Sequence, residues 1–183
     1  MSDKGYTDTM KVLFLDRDGT LSIDPPDEVV SSFDKIQLIP ETLEAMRLLA
    51  TLPYGVIIIT NQLGIAEGKL TEADFHKYNN RILEMLAPTG VKILKTYFCP
   101  HSPEDNCDCR KPKPGMLLEA AKEFDIDLAN SYMIGDRLTD VMAGKNAGTK
   151  TISVQTGLRP VEGGVADYNA RNILEAVRWI AGL

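Results

Sequence analysis

Short runs of apolar residues alternate along the chain with segments in which apolar residues recur every three or four positions. The runs have the length of buried β-strands, and they cover residues 11–16, 56–60, 93–98, 132–135 and 149–154. The periodic segments predict helices over residues 40–52, 71–86, 116–124, 138–147 and 173–181, and the glycine-containing stretch 62–70 is predicted to be a loop. Strands that alternate with helices predict an α/β fold of three layers, in which helices cover both faces of a parallel sheet.

The length and composition of the chain predict one globular domain. The chain has 183 residues, of which 44% are hydrophobic and 25% are charged, and these are ordinary values for a globular protein. We predict a single domain over residues 11–183, after a flexible N-terminal extension over residues 1–10. No apolar run approaches the ~20 residues of a membrane-spanning helix, and the N-terminus lacks the apolar core of a secretory signal. We therefore expect a cytoplasmic protein without a membrane partner, either a monomer or a weak homo-oligomer.

The formal net charge of −6 at pH 7 argues against a nucleic-acid-binding function. A general nucleic-acid-binding protein normally presents a basic face, and no stripe of lysine and arginine runs along this chain. An acidic protein that acts on a phosphorylated compound needs a local cation, which is either a metal ion or a cluster of basic side chains.

Polar side chains follow the predicted strands at the edge where parallel sheets bind their ligands. Asp16 and Asp18 follow the first strand. Two carboxylates so close together need a compensating cation, and oxygen ligands of this kind suit Mg²⁺. One carboxylate can then attack phosphorus, while the other transfers a proton to the leaving oxygen and later activates water. The alternative is a strand that merely ends in an acidic turn.

Three further polar segments are predicted near the same edge of the sheet. They are Thr60-Asn61-Gln62, Arg110-Lys111-Pro112-Lys113-Pro114, and Gly135-Asp136-Arg137 with Asp140. The first can donate hydrogen bonds to phosphate oxygens, and a lysine in the second can neutralise a phosphoryl group during its transfer. The third adds a carboxylate ligand for the cation. Taken alone, each segment is also compatible with a polar turn or a solvated charged loop.

The order of these motifs resembles the haloacid dehalogenase (HAD) superfamily of phosphotransferases. The resemblance covers residues 11–157 and rests on DRDGT at 16–20, Thr60, Lys111 and GDRLTD at 135–140. It implies a Rossmann-like core, and the spacing of the motifs leaves no room for a large cap domain. It also implies a Mg²⁺-dependent phosphomonoesterase that acts on a small phosphorylated metabolite through an aspartyl-phosphate intermediate.

The resemblance implies a role for each matching residue. Asp16 matches the nucleophile of the family, and Asp18 matches its general acid/base. Thr60 matches the hydroxyl of the second motif, and Lys111 matches the lysine that clamps the phosphate. Mg²⁺ is then held by Asp16, Asp136 and the backbone carbonyl of Asp18.

A cluster of cysteine and histidine residues predicts a second metal. The chain has three cysteines and two histidines, and four of these five residues lie between positions 99 and 109. Cys99, His101, Cys107 and Cys109 form a complete set of four ligands for a structural zinc ion, which would stiffen the loop that carries Arg110 and Lys111. The odd number of cysteines argues against a disulfide framework. Three unrelated thiols and a surface histidine are the alternative.

A zinc loop directly before Arg110 is similar to the zinc-containing subgroup IIIA of the HAD superfamily, which includes phosphatases of histidinol phosphate and of D-glycero-D-manno-heptose 1,7-bisphosphate. We expect a histidinol-phosphate phosphatase of histidine biosynthesis, because Asp24 and Asp27 near the opening can pair with the cationic amine of that substrate. The alternative is a D-glycero-D-manno-heptose-1,7-bisphosphate 7-phosphatase of heptose metabolism, because Arg110 and Arg137 can bind a second phosphate. The candidate substrate-binding residues are Arg17, Asp24, Asp27, Asn61, Gln62, Arg110 and Arg137.

Two functions of other classes share parts of this pattern. A phosphoacceptor receiver domain also places an aspartate nucleophile, acidic metal ligands, a threonine and a lysine around a parallel sheet. Its carboxylates are not arranged as in DRDGT, and it has no place for zinc. A catalytically inactive, zinc-stabilised binding module is disfavoured by the complete set of Asp16, Asp18, Lys111 and Asp136.

Overall fold

The computed structural model describes residues 9–24, 36–159, 161 and 163–183. The strands in these ranges are β1 (Val12–Leu15), β2 (Gly55–Asn61), β3 (Ile93–Cys99), β4 (Tyr132–Gly135), β5 (Lys150–Val154) and β6 (Tyr168–Ala170). The α-helices are α1 (Thr42–Leu49), α2 (Leu63–Ala66), α3 (Glu72–Leu86), α4 (Gly115–Phe124), α5 (Leu138–Ala147) and α6 (Ile173–Ala181). None of the described helices is both long and apolar enough to cross a membrane.

All of these strands belong to one parallel sheet in the order β3-β2-β1-β4-β5-β6. β1 lies inside the sheet, where Phe14 is in register with Ile57 of β2 and with Met133 of β4. The chain runs from β1 through β2 to β3 at one edge, and then returns to the other side of β1 for β4, β5 and β6. The direction therefore reverses between β1 and β4, and ligands of open α/β sheets bind in the crevice at such a reversal.

Hydrophobic cores lie on both faces of the sheet, because successive strand residues point to opposite sides. One core contains Leu13 and Leu15 together with buried residues of α1, α3 and α6. The other contains Val12 and Phe14 together with buried residues of α4 and α5. The prediction of a three-layer α/β fold without a large cap domain is confirmed for the described part of the chain.

The five predicted strands and five predicted helices all occur, with small shifts at their ends. α3 begins at the predicted cap, where the hydroxyl of Thr71 accepts a hydrogen bond from the backbone N–H of Asp74 at 3.1 Å. Among the described strands and α-helices, two elements were missed. α2 has only four residues, too few to show a helical period, and it occupies part of the predicted loop 62–70. β6 has three residues, of which only Ala170 is buried, so it produces no apolar run.

The N-terminal segment is tied to the domain at Met10. The backbone N–H of Met10 donates to the carbonyl of Asp125 at 3.1 Å, and its carbonyl accepts a hydrogen bond from Asp127 at 2.9 Å. Residues 1–8 of the predicted extension lie outside the described residues, as does Asp27.

Candidate active site

A cavity of about 910 Å³ opens at the carboxyl ends of the strands. Asp16, Thr60 and Lys111 line it together with Asp140, whereas Asp136 lies just beneath its wall and has no exposed surface. Asp16 and Asp136 follow β1 and β4, Thr60 lies near the end of β2, Lys111 lies between β3 and α4, and Asp140 lies in the first turn of α5. The fold therefore brings the separately predicted motifs together in one place.

Three buried carboxylates meet at the floor of this cavity. Asp16, Asp136 and Asp140 each place an oxygen atom within 4.8 Å of those of the other two. The amino group of Lys111 lies 2.5 Å from Asp16 Oδ1 and 2.6 Å from Asp140 Oδ1. Arg137 Nε lies 3.7 Å from Asp136 Oδ2. These contacts compensate only part of the negative charge.

The pKa values reflect this excess of carboxylates. Burial raises the pKa of Asp16 to about 7, although Lys111 acts in the opposite direction. Burial, followed by repulsion from Asp16 and Asp140, raises the pKa of Asp136 to about 9. Burial disfavours the charged form of Lys111, but the carboxylates of Asp140 and Asp16 raise its pKa above the ordinary value. A further cation beside Asp136 would favour its ionised form.

The surroundings of Asp136 fit a divalent cation. Its Oδ2 atom is buried and accepts no hydrogen bond, which is costly for a carboxylate oxygen unless a cation ligates it. Gly19, in the left-handed region at φ +85°, and Gly157 both lie against this carboxylate, and a Cβ at Gly19 would come within 2.6 Å of Oδ2. Oxygen ligands suit Mg²⁺, so the donors of Asp16 and Asp136 match the ion expected from the sequence.

The side chain of Asp18 lies outside the three-carboxylate cluster. Its Oδ1 accepts hydrogen bonds from Arg17 Nε at 3.0 Å and from Ser22 Oγ at 3.1 Å. Its Oδ2 accepts from the terminal Nη2 of Arg17 at 2.7 Å and from Gln62 Nε2 at 3.0 Å. Burial would raise the pKa of Asp18, but Arg17, followed by the hydrogen bonds of Gln62 and Ser22, holds it below its ordinary value.

The last residue of β2 and the residue that follows it contact catalytic candidates. The amide of Gln62 donates to Thr60 Oγ1 at 2.9 Å as well as to Asp18. The side chain of Asn61 donates to the backbone carbonyl of Lys111 and accepts from its backbone N–H, both at 3.1 Å. We expected Arg17, Asn61 and Gln62 to bind substrate. The structure gives protein partners to the amides of Asn61 and Gln62 and to Nε and Nη2 of Arg17, whereas the buried Nη1 of Arg17 has no hydrogen-bond partner among the described residues. The sequence holds no signal for these pairs, since Asn61 and Lys111 are fifty positions apart.

Asp24, one of the two acidic residues expected at the entrance, lines the cavity, whereas Asp27 lies outside the described residues. Asp24 is buried, with its Oδ1 at 3.6 Å from a guanidinium nitrogen of Arg137 and its Oδ2 at 3.4 Å from the backbone N of Leu158. Arg110 lines the cavity and donates to the carbonyl of His101 at 2.9 Å. Ser22 and Asn61 were not predicted to support the catalytic candidates.

The four predicted zinc ligands form a compact group beside the cavity. The Sγ atoms of Cys99, Cys107 and Cys109 lie 3.2–3.5 Å from one another. The Nδ1 atom of His101 lies 3.5 Å from the sulfur of Cys99 and 3.3 Å from that of Cys109. These sulfur separations are too long for a disulfide bond. Three thiols and one imidazole around a common point are a donor set that suits tetrahedral zinc.

Comparison with known proteins defines the family. A family model described as HAD-hydrolase-like matches residues 108–178. The D-glycero-beta-D-manno-heptose-1,7-bisphosphate 7-phosphatase of Pasteurella multocida (strain Pm70) is 42% identical over 182 residues, covering 94% of this chain and 98% of that protein. The protein of the same name from Escherichia coli (strain K12) is 40% identical over 171 residues, covering 87% and 88%. The chain belongs to the HAD-like hydrolase family.

Solved structures agree with this assignment, and the chain is a HAD-type phosphatase. The D,D-heptose 1,7-bisphosphate phosphatase of B. bronchiseptica, complexed with magnesium and phosphate, superposes with a TM-score of 0.87 at 32% identity, covering 94% of this chain and 99% of that one. A HAD-like phosphatase from Mesorhizobium loti, described as putative, superposes with a TM-score of 0.79 at 32% identity, covering 94% and 88%.

The expected histidinol-phosphate phosphatase is wrong, and the assignment to histidine biosynthesis falls with it. The relatives of this HAD-type phosphatase carry the name of the alternative. The structure supplies a physical reason for the error. The preference for a cationic amine depended on Asp24 and Asp27 at the entrance, and of these two the Asp24 carboxylate is buried beside Arg137 while Asp27 lies outside the described residues.

We expect Gly157→Ala to lower kcat/KM for p-nitrophenyl phosphate ~10- to 100-fold, because the added methyl group would displace the Asp136 carboxylate. The matched control is Gly164→Ala, since a Cβ at Gly164 meets no heavy atom within 4 Å. Steady-state kinetics and thermal unfolding of both variants would check this. Wild-type kinetics in Gly157→Ala would show that the packing against Asp136 is not needed.

Proposed function

We propose that the chain hydrolyses the 7-phosphate of D-glycero-D-manno-heptose 1,7-bisphosphate, which yields the heptose 1-phosphate and inorganic phosphate. The observation that carries this proposal is about 40% identity to enzymes of that name over nearly the whole chain. This reaction uses a small phosphorylated sugar, and we propose that it takes place in the cytoplasm.

The charges around the cavity support a substrate with two phosphates. Among the described residues, the basic side chains that line the opening are Lys69, Arg110, Lys113, Arg137 and Arg159, and the acidic Glu67 lies there as well, 2.9 Å from Lys69. With one phosphate at Asp16 and Lys111, the second phosphate would lie toward this basic rim. Guanidinium groups can bind phosphate through two parallel hydrogen bonds, so Arg110 and Arg137 are the groups that we assign to this phosphate.

The proposed chemistry begins at Asp16. Its carboxylate attacks phosphorus, an Asp16–phosphorus bond forms, and the bond from phosphorus to the sugar oxygen breaks. Asp18 gives a proton to the leaving sugar oxygen and then takes one from the water that hydrolyses the aspartyl-phosphate. Lys111 and Thr60 face the phosphoryl oxygens. Mg²⁺ held by Asp16, Asp136 and the backbone carbonyl of Asp18 would neutralise phosphate charge.

We expect Asp16→Asn to lower phosphate release at least ~10³-fold while the protein stays folded, because an amide keeps the shape of the side chain and cannot attack phosphorus. Release from p-nitrophenyl phosphate and circular dichroism would be measured. The control is Glu84→Gln, the same carboxylate-to-amide change on a side chain with 65% relative exposure. A tenth of wild-type turnover in Asp16→Asn would contradict the covalent mechanism.

We also propose one structural zinc ion per chain, held by Cys99, His101, Cys107 and Cys109. Elemental analysis of the purified protein should find about one zinc, and Cys107→Ser should lose it together with part of the activity. The control is Asp108→Asn, which changes a fully exposed side chain in the same loop and should keep the metal. Zinc at full occupancy in Cys107→Ser would show that the metal is held elsewhere.

The substrate assignment predicts both a preference and a position of cleavage. We expect kcat/KM for the heptose 1,7-bisphosphate to exceed that for histidinol phosphate by tenfold or more, a difference of about 1.4 kcal/mol in transition-state stabilisation. Phosphorus NMR of the product should show the 1-phosphate retained. Release of the 1-phosphate, or faster hydrolysis of histidinol phosphate, would contradict the assignment.

A further inference from the structure

Arg17 stands between the two aspartates of DRDGT, and its side chain is almost completely buried, with 1% relative exposure. Arginine is rarely buried without a partner, because removing its charge from water is costly unless hydrogen bonds and opposite charge compensate. The contacts of Arg17 therefore indicate what this buried charge does.

The guanidinium of Arg17 is held through two of its nitrogens and its flat face, whereas its Nη1 atom is buried without a hydrogen-bond partner among the described residues. Its Nε and Nη2 atoms donate to the two carboxylate oxygens of Asp18 at 3.0 and 2.7 Å. Its central carbon lies 4.4 Å from the ring centre of Tyr78 and 5.1 Å from that of Phe75, both on α3. A bidentate pair fixes the plane of a carboxylate, and the two aromatic rings fix the guanidinium in turn.

The four hydrogen bonds to Asp18 differ in strength. A carboxylate has about four acceptor positions, and Arg17, Ser22 and Gln62 fill them. To exchange a proton with a sugar oxygen or a water, Asp18 must give up one of these bonds. The hydrogen bonds from the neutral donors Ser22 and Gln62 are weaker than the charge-assisted pair with Arg17. One of the weaker bonds would therefore break first, and the pair with Arg17 would remain.

We propose that Arg17 is a positioning residue that keeps the Asp18 carboxyl group at a fixed place and orientation during proton transfer. The inference rests on the proposed role of Asp18. As the bond from phosphorus to the sugar oxygen breaks, the proton moves from the Asp18 carboxyl group to that oxygen. The resulting carboxylate takes the next proton from the attacking water. Arg17 keeps its charge and its proton throughout.

The test compares two leaving groups. A sugar alkoxide needs a proton to leave, whereas p-nitrophenolate leaves without one. The constant kcat/KM reflects the steps up to the first phosphoryl transfer, in which the leaving group departs. It therefore reports the effect of protonating the leaving group and is not affected by hydrolysis of the aspartyl-phosphate. It is measured for the heptose 1,7-bisphosphate and p-nitrophenyl phosphate with the wild type, Arg17→Met, Arg17→Lys and Asp18→Asn. Arg47→Met is the control, because Arg47 is exposed on α1.

For Arg17→Met we expect a loss of ~10²-fold on the bisphosphate and less than ~3-fold on p-nitrophenyl phosphate, because a misplaced acid affects only the ester that needs it. Arg17→Lys should recover part of the loss. An equal loss of kcat/KM on both esters would overturn the proposal. In that case a raised KM would indicate that Arg17 binds the substrate directly, and a lowered Tm would indicate a structural role. If Arg17→Met does not fold, the loss of kcat/KM on the bisphosphate is compared with the loss on p-nitrophenyl phosphate in Arg17→Lys instead.

Failure of the proposed function gives different results. If Asp18→Asn keeps the wild-type rate on the bisphosphate, the role of Asp18 is wrong, whatever Arg17 does. If the wild type does not hydrolyse the bisphosphate, the substrate is wrong, and phenyl phosphate takes its place as the ester with the more basic leaving group. If Asp18→Asn shows the leaving-group dependence and Arg17→Met does not, only the inference about Arg17 fails.

Discussion

The site depends on compensation of the charge of three carboxylates that the fold buries at one edge of the sheet. Lys111 is the buried cation between Asp16 and Asp140, and it has only 3% relative exposure. Its position is critical, because a buried carboxylate without a partner costs far more than the pair gains. Lys111 lies on a loop, so its backbone needs support from other elements. Asn61 supplies this support by binding both backbone polar groups of Lys111.

The cysteine cluster contains residues of the same loop and the last residue of β3. Cys99 is the last residue of β3, and Cys109 is separated from Lys111 only by Arg110. A metal ion shared by these cysteines would fix the loop to the end of a strand, and the sheet would then set the depth of Lys111. The two expected metals would thus have different tasks, because Mg²⁺ would contact the substrate phosphate and zinc would hold the loop that carries Lys111.

The sequence was sufficient to predict strands β1 to β5 and the residues at their carboxyl ends, because apolar runs and strand-end motifs can be read from neighbouring positions in the chain. It was insufficient for contacts between distant segments. Arg17, Asn61 and Gln62 have the donors of substrate-binding residues, and only the fold shows that several of these donors bind Asp18 and Lys111, while Nη1 of Arg17 has no hydrogen-bond partner among the described residues. The short elements β6 and α2 escaped prediction because they contain at most one buried residue, whereas the equally short β1 and β4 are entirely buried apolar runs.

The error about the substrate has the same origin. Acidic residues make an entrance negative only if no cation from elsewhere in the chain neutralises them. Arg137 lies beside Asp24, although the two residues are more than a hundred positions apart. Once that carboxylate is buried and partnered, the basic side chains from the later loops dominate the lining of the opening among the described residues. Charge at an entrance is therefore a property of the folded loops together. The basic side chains of the described lining support the proposed binding of a second phosphate.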